Sequence, residues 1–356
     1  MAKGRPRRTN RKRKGRREPH AAMKAILFLV RLGLIVLLLA GAGGAWFYKE
    51  VSQPAKAQGD PVVFEVTDGA SGRSVAQELQ SKGLIRDAMA FRLLLRLKER
   101  KDGSTLRAGH FRIDPTEDTK GVLAELLEGD VLTRKATIPE GYTLEQTAQS
   151  LAKQEVCPGQ DFWAALEVDQ DLGWLFPDEL EGYLFPSTYE FPYECTGTMA
   201  VRQMTGQFRT SVEPLWKKYE KTAPLSFKET IILASLVERE AQVPSERPTI
   251  AGVYVNRLRK GMKLECDATV QFALGKQKAV LLYSDLEIAS PYNTYRYQGL
   301  PPGPICSPGL ASIEAAMNPK KSNYLFYVRN DIKNDGSHVF GRDFYEHESN
   351  IAKYQK

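Results

Sequence analysis

Histidine and cysteine are scarce in this sequence. Its 356 residues include four histidines and four cysteines, and Cys157, Cys195, Cys266 and Cys306 are far apart, with no C-x-x-C pair. The sequence therefore does not support a zinc or redox site, and we expect neither a metal nor an organic cofactor. If the cysteines are exported, they allow three disulfide pairings, among which the sequence does not choose.

Acidic residues are almost absent from the first 24 positions. Glu18 is the only one, against eleven lysines and arginines, so this segment carries a net charge of +10. The whole chain carries +7, which leaves −3 for residues 25–356. A nucleic-acid-binding arm is the alternative interpretation, but the body is mildly acidic and the apolar run that follows accounts for the basic charge. We expect no nucleic-acid partner.

Charge is also almost absent from residues 25–48, where Arg31 is the only charged residue. As a helix, this run would extend about 36 Å, enough to cross a bilayer. The positive charge before it places the N-terminus in the cytoplasm and the body outside. A cleavable signal peptide is the alternative, although Gly41–Trp46 offers only a weak cleavage site. We predict an uncleaved single-pass anchor in the cell (inner) membrane, with membrane lipid as a partner.

A strand–turn–helix pattern occurs twice after a polar linker at residues 49–60. The two copies are 72 residues apart, and each is followed by a helix that carries aromatic residues. The positions that match are Gly69 and Gly141, Ala76 and Ala148, Leu79 and Leu151, and Leu84 and Val156. Chance similarity is the alternative, but several small and apolar positions agree without a gap. We therefore predict an internal repeat.

Five blocks later in the chain carry a family resemblance. They are EGYLFPSTY at 181–189, LASLVERE at 233–240, VNRL at 255–258, YNTY at 292–295 and GLPPGPI at 299–305. In this order they resemble the MltG/YceG-like endolytic murein transglycosylases. The resemblance implies an α+β fold with a transmembrane helix at 25–48, a LysM-like module at 61–135 and a catalytic domain at 136–350. It also implies peptidoglycan glycan strands as substrate and membrane-bound peptidoglycan synthases as partners.

The helix that carries the proposed catalytic glutamate is predicted without the family. Ser226 and Glu229 form a capping box that starts it, and both of its faces are largely apolar. Glu238 projects from an apolar stripe near its end, where desolvation favours the protonated carboxyl that a general acid needs. The resemblance places the family's catalytic glutamate at Glu238. The alternative is a salt-bridged carboxylate, with Arg239 or Arg257 as the partner.

The chemistry that the resemblance implies is lytic cleavage between N-acetylmuramic acid and N-acetylglucosamine, which leaves a 1,6-anhydromuramyl end. One carboxyl group suffices, because the C6 hydroxyl of the substrate replaces water as the nucleophile. Two alternatives stay open: a noncatalytic peptidoglycan-binding scaffold, and a hydrolase that pairs Glu238 with a second carboxylate such as Glu181 or Asp267.

Further residues are candidates for substrate binding or support. Glu240 sits about 200° around the helix from Glu238, so both cannot face one cleft, and we assign it a supporting role or an ion pair. For the others the alternative is a structural role, such as packing of a tyrosine-rich loop or capping of a helix. They are Glu181, Tyr189, Asn256, Asp267, Gln271, Tyr292, Asn293 and Tyr295. We expect His338 to lie on the surface of a β-hairpin.

Overall fold

The computed structural model describes residues 19–167, 179–278 and 280–355. It is a mixed α+β structure, as predicted, and divides into two compact units, the first ending at Leu132 and the second beginning at Thr133. The basic segment before residue 19 lies outside the described residues. All four cysteines are buried free thiols.

The first unit begins with a long helix, α1, at Pro19–Ser52. Its apolar part, Met23–Ser52, is 30 residues long and has the length and composition to cross a membrane. The end of α1 packs on the rest of the unit, since Val51 is buried and the Glu50 carboxylate accepts a hydrogen bond from Arg86 Nε at 2.9 Å. Thr119 Oγ1 also donates to the Glu50 carbonyl oxygen at 3.1 Å. The helix therefore continues into this unit without a flexible break.

The remainder of the first unit is a two-stranded antiparallel sheet packed against helices. The strands are β1 (Val62–Val66) and β2 (Gly109–Ile113), with Phe64 opposite Phe111. The helices are α2 (Gly72–Ser81), α3 (Ala88–Asp102) and α4 (Thr119–Glu128).

The second unit opens with the same order of elements. It has β3 (Thr133–Ile138), α5 (Leu144–Lys153), α6 (Gly159–Glu167), β4 (Ser187–Pro192) and α7 (Gly197–Tyr219). Strands β3 and β4 pair antiparallel, as β1 and β2 do. The predicted internal repeat is thus confirmed as a strand–helix–helix–strand unit that occurs twice.

The repeat extends to backbone detail. Gly69 and Gly141 both adopt left-handed φ angles, 71° and 79°, in the turn between strand and helix. The N–H of Leu84 donates to Leu79 at the end of α2, and the N–H of Val156 donates to Leu151 at the end of α5, both at 2.9 Å. These matching turns show why the small and apolar positions agree at a constant offset.

The rest of the second unit surrounds α8 (Phe227–Glu240). A 3₁₀ turn at Pro244–Glu246 leads into α9 (Arg247–Arg259), followed by α10 (Asp267–Ala273), a 3₁₀ turn at Asp285–Glu287, and α11 (Leu310–Met317). The predicted hairpin is confirmed as β5 (Phe326–Arg329) and β6 (His338–Gly341), and α12 (Phe344–Tyr354) follows. Residues 230–237 of α8 are all buried, so this helix lies inside the core.

The contact between α6 and α7 yields a stability prediction. A methyl group on Gly197 would lie 2.1 Å from the carbonyl oxygen of Asp161, whereas one on Gly206, in the same helix, would meet nothing within 4 Å. We expect Gly197→Ala to lower the free energy of unfolding by roughly 1–3 kcal/mol, because the backbone must shift. Gly206→Ala should be neutral or raise it by up to about 1 kcal/mol. Denaturant unfolding of the full chain in detergent measures both, and equal effects would contradict the close packing.

Candidate active site

The end of α8 directs three consecutive side chains to different partners. The helix starts at the predicted capping box, in which Ser226 and Glu229 each accept a hydrogen bond from the other's backbone N–H. Because the buried stretch holds the helix within the core, the positions of Glu238, Arg239 and Glu240 at its end are fixed. These three residues organise the surrounding loops.

Glu238 is a paired carboxylate. Its Oε2 accepts the backbone N–H of Gly309 at 2.9 Å, and its Oε1 lies 3.4 Å from Arg247 Nη2. The side chain is 7% exposed. The partner is Arg247, at the start of α9, and not Arg239 or Arg257, the two arginines considered from the sequence. Both carboxylate oxygens are therefore engaged by donors.

Glu140 lies beside this ion pair and was not identified from the sequence. Its Oε2 is 4.0 Å from Arg247 Nη2, and a methyl group on Gly309 would come within 2.0 Å of its Oε1. Burial and the neighbouring charge of Glu238 raise the pKa of Glu140, while Arg247 opposes the shift. The only sequence signal was its place in the turn before Gly141, inside the repeat.

Glu240 occupies a different environment. Its Oε1 accepts a hydrogen bond from Cys266 Sγ at 3.3 Å, and its Oε2 accepts one from the Tyr327 hydroxyl at 3.0 Å. Burial raises the pKa of Glu240 and Asp267 adds to the rise, whereas the two hydrogen bonds and His338 act in the opposite direction. The residue nevertheless remains partly exposed. Glu240 is thus a partly exposed residue whose carboxyl group is enclosed, and burial favours the protonated form of that group.

Three polar side chains are linked by hydrogen bonds close to Glu240. Asp267 is exposed at the start of α10, and its Oδ1 accepts a hydrogen bond from the Tyr295 hydroxyl at 2.6 Å. The backbone N–H of Tyr295 donates to Asn293 Oδ1 at 3.0 Å. Asn293 is buried and its amide nitrogen donates to the carbonyls of Leu286 and Ile288. Asn293 therefore holds the loop that presents Tyr295 to Asp267.

Three other predicted residues make structural contacts. The amide nitrogen of Asn256 donates to the carbonyls of Ser322 and Tyr324. The buried Tyr189 donates its hydroxyl proton to the Phe185 carbonyl. Tyr292 packs its ring on Phe272, with centroids 4.8 Å apart. These contacts favour the structural alternative for each, without testing a role in substrate binding.

The expectation that His338 is a surface residue is wrong. Its side chain is 9% exposed, and its Nδ1 lies 2.8 Å from Glu246 Oε2. The ring packs edge-on against Tyr327, with centroids 5.2 Å apart. The hairpin was predicted correctly, but α9 and its preceding turn cover the face that carries His338. His338 therefore supports the tyrosine that donates to Glu240.

Glu181 and Gln271 line a separate cavity of about 490 Å³ in the second unit. The Oε2 of Glu181 accepts the backbone N–H of Leu144 at 3.1 Å, in the first turn of α5. Burial raises the pKa of Glu181 to about 7, against the backbone N–H groups of Leu144 and Gly182, which lower it. Arg239 also lines this cavity, so the α8 residue between the two glutamates faces it.

Comparison with known proteins gives consistent matches over most of the chain. Residues 64–353 match the YceG-like family. A Bacillus subtilis (strain 168) protein named endolytic murein transglycosylase is 33% identical over 332 residues, covering 88% of this chain and 90% of that protein. A Streptococcus pneumoniae (strain D39) protein of the same name is 29% identical over 360 residues, or 90% of this chain and 64% of that protein. A crystal structure of a yceG-like protein from Listeria monocytogenes is 30% identical with a TM-score of 0.55, covering 82% of this chain and 99% of that one.

The buried Glu181 predicts a pH-dependent stability. Because its pKa is raised in the folded state to about 7, the folded chain holds a proton there that the unfolded chain releases near the ordinary glutamate value. Its contribution therefore favours folding at low pH and is lost as the pH rises towards 7.

Glu181→Gln removes this dependence and keeps an oxygen that accepts the Leu144 N–H. We expect the free energy of unfolding of the variant, relative to the parent, to increase between pH 5 and pH 8 by on the order of 2 kcal/mol. Denaturant unfolding at several pH values measures the difference, and a difference that stays constant with pH would contradict the shift.

Proposed function

Because the chain belongs to the YceG-like family, we propose that it is a membrane-anchored endolytic transglycosylase that cuts peptidoglycan glycan strands. The observation that carries the proposal is Glu240, a partly exposed residue whose enclosed carboxyl group has a raised pKa beside the Asp267–Tyr295 pair. A group that donates a proton to a glycosidic oxygen at neutral pH needs this combination of burial and access. The relatives named endolytic murein transglycosylase support the choice of substrate.

Glu240, and not Glu238, is the acid in this proposal. Glu238 has both oxygens engaged, by Arg247 and by the Gly309 N–H, which is the arrangement of a structural ion pair. Glu240 has no cation among its hydrogen-bond partners, which are a thiol and a phenol. The family resemblance in the sequence pointed to Glu238, which remains the second candidate and is tested in the same experiment.

The reaction needs one carboxyl group. Glu240 gives its proton to the oxygen that links C1 of N-acetylmuramic acid to N-acetylglucosamine, and the C1–O bond breaks with its electron pair on the leaving oxygen. An oxocarbenium-like centre develops at C1. The carboxylate of Glu240 then takes the proton of the C6 hydroxyl as O6 bonds to C1. The product carries a 1,6-anhydromuramyl end, and no water is consumed.

The first unit suits a position at the membrane surface. We assign α1 as an uncleaved anchor, with the N-terminus in the cytoplasm and both units outside. The βααβ order of β1, α2, α3 and β2 supports a LysM-like glycan-binding module. Because the end of α1 contacts α3 and α4, and Glu50 is bonded to Arg86 and to Thr119 of α4, this module stays close to the bilayer. Strands emerging from membrane-bound synthases are the substrate that this position favours.

Digestion of uncrosslinked glycan strands by the full chain in detergent tests the assignment. We expect the parent to produce internal cuts with 1,6-anhydromuramyl ends, identified by mass spectrometry. Glu240→Gln should reduce the rate by at least about 100-fold, because the amide cannot donate and recover the proton. Glu238→Gln should retain measurable cutting and lose stability, because it weakens the contact with Arg247.

Three other results of this experiment would each contradict one part of the proposal. Full loss in a folded Glu238→Gln variant, with activity kept in Glu240→Gln, would assign the acid to Glu238. Reducing ends would indicate a hydrolase with Asp267 as the second carboxylate, since it is exposed beside Glu240. Strand binding without cutting by any variant would indicate a scaffold.

The Tyr327 hydroxyl gives a second prediction. Its hydrogen bond lowers the pKa of Glu240, so Tyr327→Phe should raise that pKa further. We expect the alkaline limb of the pH–rate profile, where the acid loses its proton, to move up by roughly 0.5–1 pH unit. Tyr283→Phe, which changes an exposed tyrosine, should leave the limb in place. An unchanged profile in Tyr327→Phe would argue that Glu240 is not the titrating acid.

A further inference from the structure

The cavity beside Arg239 contains a polar atom that the described residues leave unsatisfied. The Oε1 of Glu181 is buried and has no hydrogen-bond partner there, while its Oε2 is held by the Leu144 N–H. A buried polar atom without a partner costs free energy, and such atoms are rare in folded proteins. The proposed reaction at Glu240 does not use this carboxyl group.

The walls of the cavity combine apolar, amide and charged side chains, the charged ones being Glu145, Glu181, Arg239 and Lys276. Trp163 lines it with a side chain that is 41% exposed, and Phe272, Leu144 and Ile305 supply further apolar surface. Amide groups come from the glutamines of the lining: Gln146, Gln149, Gln271 and Gln277. A volume of about 490 Å³ lies within the range of small-ligand sites, roughly 300–1,000 Å³.

Two helices connect the cavity to the surroundings of Glu240. Helix α10 places Asp267 beside Glu240 and, within its next two turns, places Ala268, Gln271 and Phe272 in the cavity wall. Arg239, directly before Glu240 in α8, lines the same cavity. A polymer whose scissile bond lies at Glu240 therefore has a second enclosed surface within the same unit.

We propose that this cavity is a subsite for an N-acetylated amino sugar of the glycan strand, away from the bond that is cut. The choice of a glycan rests on the proposed function. An acetamide group offers an N–H donor and a carbonyl acceptor to Glu181, its methyl group fits the apolar wall, and the sugar ring packs on Trp163.

A peptide stem fits the cavity less well. The unsatisfied group is a carboxyl oxygen, and a stem rich in carboxylates would place like charge against it. Glu145 in the lining adds to this repulsion, whereas the cations of the lining are Lys276 and Arg239, which also donates to the Gly141 carbonyl at 3.3 Å. A neutral sugar avoids this repulsion.

Binding measured without turnover tests the subsite. The probe is the N-acetylglucosamine trimer, titrated calorimetrically into the full chain carrying Glu240→Gln in detergent. We expect Trp163→Ala and Glu181→Ala each to weaken the binding of the trimer at this cavity at least tenfold. Glu181→Gln, which keeps donor and acceptor groups, should bind within about threefold of the parent. Cellotriose, which lacks the acetamide group, should bind at least tenfold more weakly.

The controls separate this inference from the proposed function. Tyr283→Ala removes an exposed aromatic ring that does not line the cavity, and it should leave trimer binding unchanged. Because Glu240→Gln is present throughout, failure of the strand-cutting assay does not affect the result. Trimer binding that is equal in all folded variants would overturn the subsite. Preferential binding of a free stem peptide, lost in Trp163→Ala, would overturn its assignment to a sugar.

Discussion

The burial of α8 is the constraint on which the rest of the second unit depends. Eight consecutive residues, 230–237, are enclosed by the core, so the helix cannot rotate or shift without opening it. The position of its last turn is therefore fixed. Glu238 makes an ion pair, Arg239 lines a cavity, and Glu240 accepts hydrogen bonds from a thiol and a phenol.

The contrast between the two glutamates shows how environment assigns roles to identical side chains. Glu238 meets a guanidinium and a backbone N–H, which together occupy both oxygens. Glu240 meets a thiol and a phenol, and burial dominates the shift of its pKa. The two lie two residues apart on one helix, so their difference comes from the loops and helices that α8 contacts and not from α8 itself.

The structural features that were predicted correctly from the sequence are local in the chain. The capping box at Ser226, the repeat with its glycine turns and the hairpin at 326–341 depend on residues close together in the chain. The hydrogen-bond partners of Glu238 and Glu240, in contrast, are distant in the sequence. Gly309 is 71 residues from Glu238, and Tyr327 is 87 residues from Glu240. No local pattern encodes these contacts.

The same limit explains the error at His338 and the omission of Glu140. The pairing of β5 with β6 followed from alternation and a turn, but whether another element covers the hairpin depends on the packing of the whole unit. Glu140 likewise gains its significance only when the 140–142 segment pairs with residues near Ser307, as the hydrogen bond from Gly141 N to Ser307 O shows. The five sequence blocks identified the family correctly. Within LASLVERE the sequence assigned the catalytic role to Glu238 and a supporting role to Glu240, whereas the contacts of the two side chains lead us to propose the reverse.

The proposed chemistry requires that Glu240 hold its proton at a higher pH than an ordinary glutamate. Carbon-13 NMR of the full chain with labelled glutamate carboxyl groups, compared between the parent and Glu240→Gln, measures this directly. We expect a carboxyl resonance that titrates above the usual glutamate range and is missing from the variant. A Glu240 resonance that titrates at or below that range would remove the basis for Glu240 as the general acid.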